Sequence, residues 1–444
     1  MKKISNKNSF FNNGLRFIYI LIFCFFSHSS FANTVLDITR GTDEPLPIAI
    51  VDFENGKNIS EVVSNNLKNS GLFAPIDSAA FIESDKALGL RPRFADWRLI
   101  DARFLVRGKT EIDDEGRMRA EFRLWDVMTE KQLAGQAYFT VPDNWRRIGH
   151  LISDEIFKAL TGENGYFDTR IVYISESGSP KKRIKKLAIM DQDGANHKLL
   201  TDGKYLVLTP RFSPNMQAIT YLSYIKKDQP RVYIYNLDTG KQEILGDFPG
   251  MTFAPRFSPD GKKVIFSQAI KGANTEIYSM DIQTRKVKRI TNNPDIDVSP
   301  SYSPDGSRIT FNSDRGGKPQ LYVMNADGSN PKRISFGKGR YSTPVWSPRG
   351  DYIAFTKSMK GEYYIGVMRP DGSDERLLDK GFMVEGPTWA PNGRFLAYEV
   401  SHRIKKTDKE ANVQIRMVDF SGRNKRIIKT PEGASDPAWS PLIP

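Results

Sequence analysis

From about residue 166 onward, short runs of alternating apolar and polar residues return along the chain at a fixed interval. A phrase of proline, any residue, an aromatic, a small residue and proline occurs six times. It reads PRFSP from Pro210, PRFSP from Pro255, PSYSP from Pro300, PVWSP from Pro344, PTWAP from Pro387 and PAWSP from Pro437. The leading prolines stand 45, 45, 44, 43 and 50 residues apart. A fixed period of this size is the mark of a repeat architecture. After the phrase come the turn dipeptides Asp260-Gly261, Asp305-Gly306, Arg349-Gly350 and Asn392-Gly393, with Asn215-Met216 in the first copy. Proline fixes φ and glycine supplies positive φ, so these positions punctuate hairpins.

Each turn leads into a second strand with apolar residues two apart, such as Val264 and Phe266 or Ile309 and Phe311. A third strand precedes another turn, as at Asp327-Gly328 and Asp371-Gly372. The fourth is short and basic: KRIT at 288–291, KRIS at 332–335, RLL at 376–378 and KRII at 425–428. Lysine and arginine on an outer strand deter edge-to-edge pairing. Four strands in about 45 residues make one propeller blade. A partial unit before Pro210, with Ile171 and Tyr173 on strand two, lacks the proline-aromatic strand. The sixth phrase has that strand and nothing after it. The C-terminal strand therefore completes the first blade and closes a ring of six.

Residues 33–165 show no repeat and read as mixed α/β. The run at 46–53 (LPIAIVDF) predicts a strand, 60–69 a helix ending at Gly71, and 104–107, 118–127 and 132–141 three further strands. Asp143 is the expected cap of a helix carrying Trp145, Ile148, Leu151, Ile152, Ile156 and Leu160 at helical spacing, stopped by Thr161-Gly162. The expected fold is mainly β: a six-bladed β-propeller with a small N-terminal α/β domain. The expected division is 1–32 signal peptide, 33–165 N-terminal domain and 166–444 propeller, with a linker near 162–168 short enough to bring the two domains into contact.

The leader follows from Lys2, Lys3, Lys7 and Arg16 ahead of the apolar run FIYILIFCFF at 17–26. That run fits a signal core and is too short to span a bilayer. Ser30-Phe31-Ala32 places small residues for cleavage after Ala32. Cys24, the one cysteine, lies inside the leader, so no disulfide is expected in the exported product. No other segment approaches membrane-spanning length. Removing four basic and no acidic residues lowers the net charge from +13 to +9. The densest basic clusters, Lys181 to Lys186 and Arg403 to Lys406, read as solvated loops rather than a nucleic-acid surface.

No GxSxG, HExxH, CxxC or phosphate-binding glycine loop is present. His150, His197 and His402 are isolated in sequence. The Asp-Gly pairs fit turns and lack EF-hand spacing. A propeller channel ringed by carboxylates could still hold a cation. No cofactor and no resident metal are expected, and the reading is non-enzymatic. A propeller-linked serine hydrolase would need a separate α/β-hydrolase domain with its nucleophile, which residues 33–165 do not supply.

The leader, the small α/β domain and six PxWSPDG-type units together resemble the TolB family, the periplasmic components of Tol-Pal cell-envelope systems. PIAIVDF at 47–53, NSGLFAPID at 69–77, DEIFKALTG at 154–162, TRIVYIS at 169–175 and the terminal PAWSPLIP carry the likeness. The resemblance implies a periplasmic adaptor supporting outer-membrane integrity and invagination during cell division. It implies binding of the lipoprotein Pal through the propeller and of TolA through the mature N-terminus, and use of the Pal surface by some bacteriocins. Other outer-membrane proteins are further candidates; no nucleic acid is expected.

Loops joining strand four of one blade to strand one of the next emerge on one face of a propeller. Here they hold Tyr205, Met251, Thr252, Asp295, Asp297, Arg340, Tyr341, Glu385 and Asp436, a mixture suited to a binding rim. Ordinary turn chemistry is the competing reading for any single one. At the N-terminus, Thr34, Val35, Leu36, Asp37 and Ile38 form a strand-like segment that adds to a partner sheet or tucks against its own domain. The family likeness assigns this segment to TolA. The alternative reading is an exported propeller that binds another envelope protein or a glycan.

Overall fold

A computed structural model describes residues 44–83, 91–179, 181–214, 218–225, 230–246, 248, 251–270, 274–402 and 413–443. The leader, the 34–38 segment, the Asn215-Met216 turn and the Arg403 cluster lie outside the described residues. The N-terminal domain contains a five-stranded sheet. Its strands are β1 (Leu46–Ile50), β2 (Phe73–Pro75), β3 (Phe104–Ile112), β4 (Met118–Asp126) and β5 (Lys131–Thr140), in the order β2-β1-β3-β4-β5. β1 runs parallel to β2 and β3, and the remaining pairs are antiparallel.

Helices α1 (Lys57–Asn69) and α3 (Trp145–Thr161) cover one face of this sheet. Ile59, Val62, Val63 and Leu67 fall on one stripe of α1 and are buried, which is why this polar sequence folds as a helix. α1 begins three residues before the expected start. α3 buries Ile148, Ile152, Ile156 and Leu160. Gly162 (φ 72°) ends it, its N–H donating to Lys158 O at 2.8 Å. Asp143 does not cap α3: it lies in a 3₁₀ turn over Pro142–Asn144 that feeds the helix. The other face is covered by α2 (Phe94–Leu99), whose Trp97 is buried against Ala49, Val51 and Leu105. Six residues are too few to show a helical period, so α2 left no sequence signal.

The rest of the chain forms six four-stranded antiparallel sheets. Blade 1 has the strand order Gly433–Trp439, Arg170–Ser177, Ile184–Asp191, Lys198–Leu199. Its innermost strand thus comes from the end of the chain, through Ala438↔Val172 and Trp439↔Ile171. The innermost strands of blades 2 to 6 are Val207–Phe212, Met251–Phe257, Asp297–Tyr302, Arg340–Trp346 and Met383–Trp389.

The proline phrase has a structural cause. Every innermost strand breaks register at the leading proline, for example between Phe253 and Arg256 or Ser435 and Ala438. Proline has no N–H for the ladder, and a bulge accommodates it. The residue just before each one is left-handed: Thr209, Ala254, Ser299, Thr343, Gly386 and Asp436 have φ between 46° and 64°. Six bulges, one per blade, thus surround the channel at one level.

The α/β domain and the propeller belong to one compact unit, and the linker is part of the core. Tyr166 and Phe167 are wholly buried. Tyr166 packs against Phe395 of blade 6 in a tilted pair (4.9 Å between centroids) and meets Trp439 edge-on at 5.9 Å. Asp154 of α3 accepts the N–H groups of Phe167 and Asp168 at 2.8 and 2.9 Å. Polar contacts tie the domain to propeller turns on the face away from the interblade loops. Arg146 pairs with Asp191 and Asp193, Arg349 with Glu163, and Asn424 donates to Asn69 O. No helix among the described residues is long and apolar enough to cross a membrane.

Candidate partner-binding rim

The loops that enter the innermost strands carry a ring of exposed apolar side chains. Tyr205 (42% exposed) and Leu206 (41%) lead into blade 2, Met251 (47%) into blade 3 and Ile296 (41%) into blade 4. Phe336 (71%) and Phe382 (48%) precede blades 5 and 6. An apolar side chain at each of five successive entries is not demanded by folding, since each stands clear of the interblade cores. Large exposed apolar side chains gathered on one face make this a candidate interaction surface. Phe336 is held by the Arg333 guanidinium, 5.0 Å from its ring centre.

The nine rim residues expected from the sequence divide by depth. Tyr205, Met251 and Arg340 are exposed, and Asp295 is half-buried with its N–H on Asn293 Oδ1. Thr252, Asp297 and Tyr341 are buried beneath the rim. Asp297 is wholly buried, and Arg315 Nη2 donates to its two oxygens at 2.9 and 2.7 Å. Burial is the larger influence and raises its carboxyl above the usual range. Tyr341 donates to the Glu375 carboxylate at 2.9 Å, with Lys357 Nζ 4.6 Å from its ring centre. These three side chains position the loops from below.

Glu385 and Asp436 are brought together on the channel wall, joined by Glu399. Glu385 and Glu399 face each other across the innermost and second strands of blade 6. Asp436 N–H donates to Glu399 Oε2 at 3.3 Å, and Thr209 N–H to Asp436 Oδ2 at 3.5 Å. Burial, and then the charges of Asp436 and Glu385, push Glu399 up to about 7. Burial and Asp436 raise Glu385 as well. The trio has no general-acid partner geometry toward a nucleophile among the described residues; it is a cluster of three carboxyls at the junction of blades 6 and 1, with Glu399 and Glu385 held toward their protonated forms.

Sequence reasoning missed Leu206, Ile296, Phe336 and Phe382, and also Glu399. The loops differ in length and composition, so their apolar residues share no register that a repeat would reveal. The available signal was simpler: each loop leading into blades 2 to 6 contains at least one large apolar residue.

Three comparisons bear on identity. Residues 157–443 match the family model for the TolB beta propeller domain, and residues 34–133 that for the TolB amino-terminal domain. The chain is 62% identical over 421 residues to the Tol-Pal system protein TolB of Paramagnetospirillum magneticum, covering 93% of this chain and 94% of that one. The crystal structure of TolB from Acinetobacter baumannii is similar with a TM-score of 0.81 at 30% identity, covering 91% of this chain and 98% of that one. With both domains matched in order and nearly the whole length covered, the chain belongs to the TolB family of Tol-Pal system proteins.

Proposed function

We propose that this chain is a non-enzymatic periplasmic adaptor of the Tol-Pal system, which binds Pal on the propeller rim and TolA through its N-terminal segment. In this role it supports outer-membrane integrity and invagination during division. The observation that carries the reading is the ring of exposed apolar residues from Tyr205 to Phe382 on a rigid set of blades. A preformed rim loses little entropy on docking, and large exposed side chains supply the anchors. The N-terminal assignment rests on the family relationship and on Thr34, Val35, Leu36, Asp37 and Ile38.

The test is capture of Pal and TolA from solubilised envelopes by the purified chain and two variants. Phe336→Ala is expected to weaken Pal binding by about tenfold or more while TolA binding persists. Deleting residues 33–44 is expected to abolish TolA binding and leave the melting temperature unchanged. Undiminished Pal binding by Phe336→Ala combined with Met251→Ala would overturn the rim assignment. Failure of the folded chain to capture Pal at all would favour the alternative, a propeller serving another envelope protein or a glycan.

A further inference from the structure

The second position of each proline phrase forms a ring of its own, five residues further down the innermost strand than Met251. Its members are Arg211, Arg256, Ser301, Val345, Thr388 and Ala438, and all six line one cavity of about 410 Å³ at the channel end away from the rim. Two adjacent blades contribute arginine and the other four contribute small or neutral residues, so the fold does not require charge at this level. Among the described residues the two guanidiniums are the only charged groups lining the cavity.

Among the described residues neither is neutralised. Arg211 Nη1 donates to Pro210 O at 2.6 Å, and its Nε is buried with no partner. Among the described residues no carboxylate pairs with Arg211 or Arg256. The Asp436 charge reaches Arg211 from a distance only. Burial depresses both guanidiniums, and Arg211 adds to the effect on Arg256. Both are part-buried, and two cations side by side with no carboxylate partner among the described residues repel each other unless an anion joins them.

Much of the remaining wall is apolar, with Ser258, Ser301, Tyr302, Thr388 and Ser440 adding uncharged polar groups. Trp346, Trp389 and Trp439 line it with Pro348, Pro391 and Pro441. Their indole N–H groups are already committed, to Gly350 O at 3.2 Å, Val345 O at 3.0 Å and Thr169 Oγ1 at 2.8 Å. The tryptophans therefore offer the cavity only apolar surface. We propose that this end of the channel binds a small organic anion, its carboxylates paired with Arg211 and Arg256 and its apolar body against the tryptophan-proline wall. The size suits it, since pockets for small ligands run from about 300 to 1,000 Å³. Arginine takes carboxylate and phosphate alike in bidentate pairs, so inorganic phosphate is the competing source of the same contact. The site lies apart from the rim and stands or falls independently of Pal binding.

Titration with isophthalate, which carries two carboxylates on a ring, and with inorganic phosphate separates the cases. Tryptophan fluorescence and calorimetry at constant ionic strength give the readout. Expected is saturable one-to-one binding of isophthalate, about tenfold or more tighter than phosphate. Arg256→Ser, which copies the Ser301 position, is expected to weaken it by about tenfold or more. Isophthalate is also expected to raise the melting temperature of the unaltered chain. No saturable binding to the unaltered chain, equal binding of phosphate, or equal binding by folded Arg256→Ser would each overturn the proposal.

Discussion

The backbone N–H of Asp436 donates to the Glu399 carboxylate across 3.3 Å, so the strand that closes the ring is tied to a carboxyl raised to about 7. Two carboxylates flank that carboxyl, and burial strengthens their repulsion. The proton, not a cation from the chain, relieves it among the described residues.

A pH dependence follows, with a definite sign. The folded value of Glu399 lies above its ordinary 4.5, so the native state holds the proton more tightly than the unfolded chain. Its stabilising contribution is fully present below pH 4.5 and is lost as pH rises through about 7. Glu399→Gln should be more stable than the parent at pH 7.5 by about 1–2 kcal/mol, and no more stable at pH 4.5. Urea melts of both proteins across this range provide the check. Parallel stability curves would contradict the assignment.

Ring closure predicts a large effect at Trp439. Its indole is 6% exposed, bonds Thr169 at 2.8 Å and packs edge-on to Tyr166. Trp439→Ala should destabilise by about 3–5 kcal/mol, the usual penalty for emptying an aromatic site in a core. Removing residues 433–444 should unseat blade 1 altogether and abolish a single cooperative transition in calorimetry.

The repeat was legible because proline and glycine act on φ, and φ is a local property. The phrase from Pro210 to Pro437 therefore marks each bulge and strand end in plain sequence. The rim is different: Phe336 and Phe382 owe their importance to exposure, a property of the folded ring. Glu399 gains its shifted carboxyl from burial and then from Asp436 and Glu385, which lie 37 and 14 residues away. The mixed fate of Asp297 and Tyr341 has the same origin, since Arg315 and Glu375 are partners that no spacing rule identifies.

The left-handed ring gives a paired test of backbone strain. Ala254 has φ 48° and Gly386 has φ 64° at matching positions in blades 3 and 6. A Cβ on Gly386 would meet nothing within 4 Å, so Gly386→Ala reads conformation alone. It should destabilise by about 1 kcal/mol, and Ala254→Gly should stabilise by somewhat less, because glycine also loosens the unfolded chain. Equal melting temperatures for both variants and the parent would show that neither bulge is strained.

The linker offers the last test, at Tyr166. The ring is wholly buried between α3, blade 6 and blade 1, yet its hydroxyl has no hydrogen-bond partner among the described residues. A buried hydroxyl left unpaired opposes folding by about 1–3 kcal/mol, while the ring itself contributes through packing. Tyr166→Phe keeps the ring and deletes the orphan, so it should leave stability unchanged or raise it by about 1 kcal/mol. Tyr166→Ala should lower it by about 3–5 kcal/mol, because the cavity would open where both domains share one core. If Tyr166→Phe instead destabilised by more than about 1 kcal/mol in denaturant melts, the hydroxyl would have to hold a bound water bridging the domains.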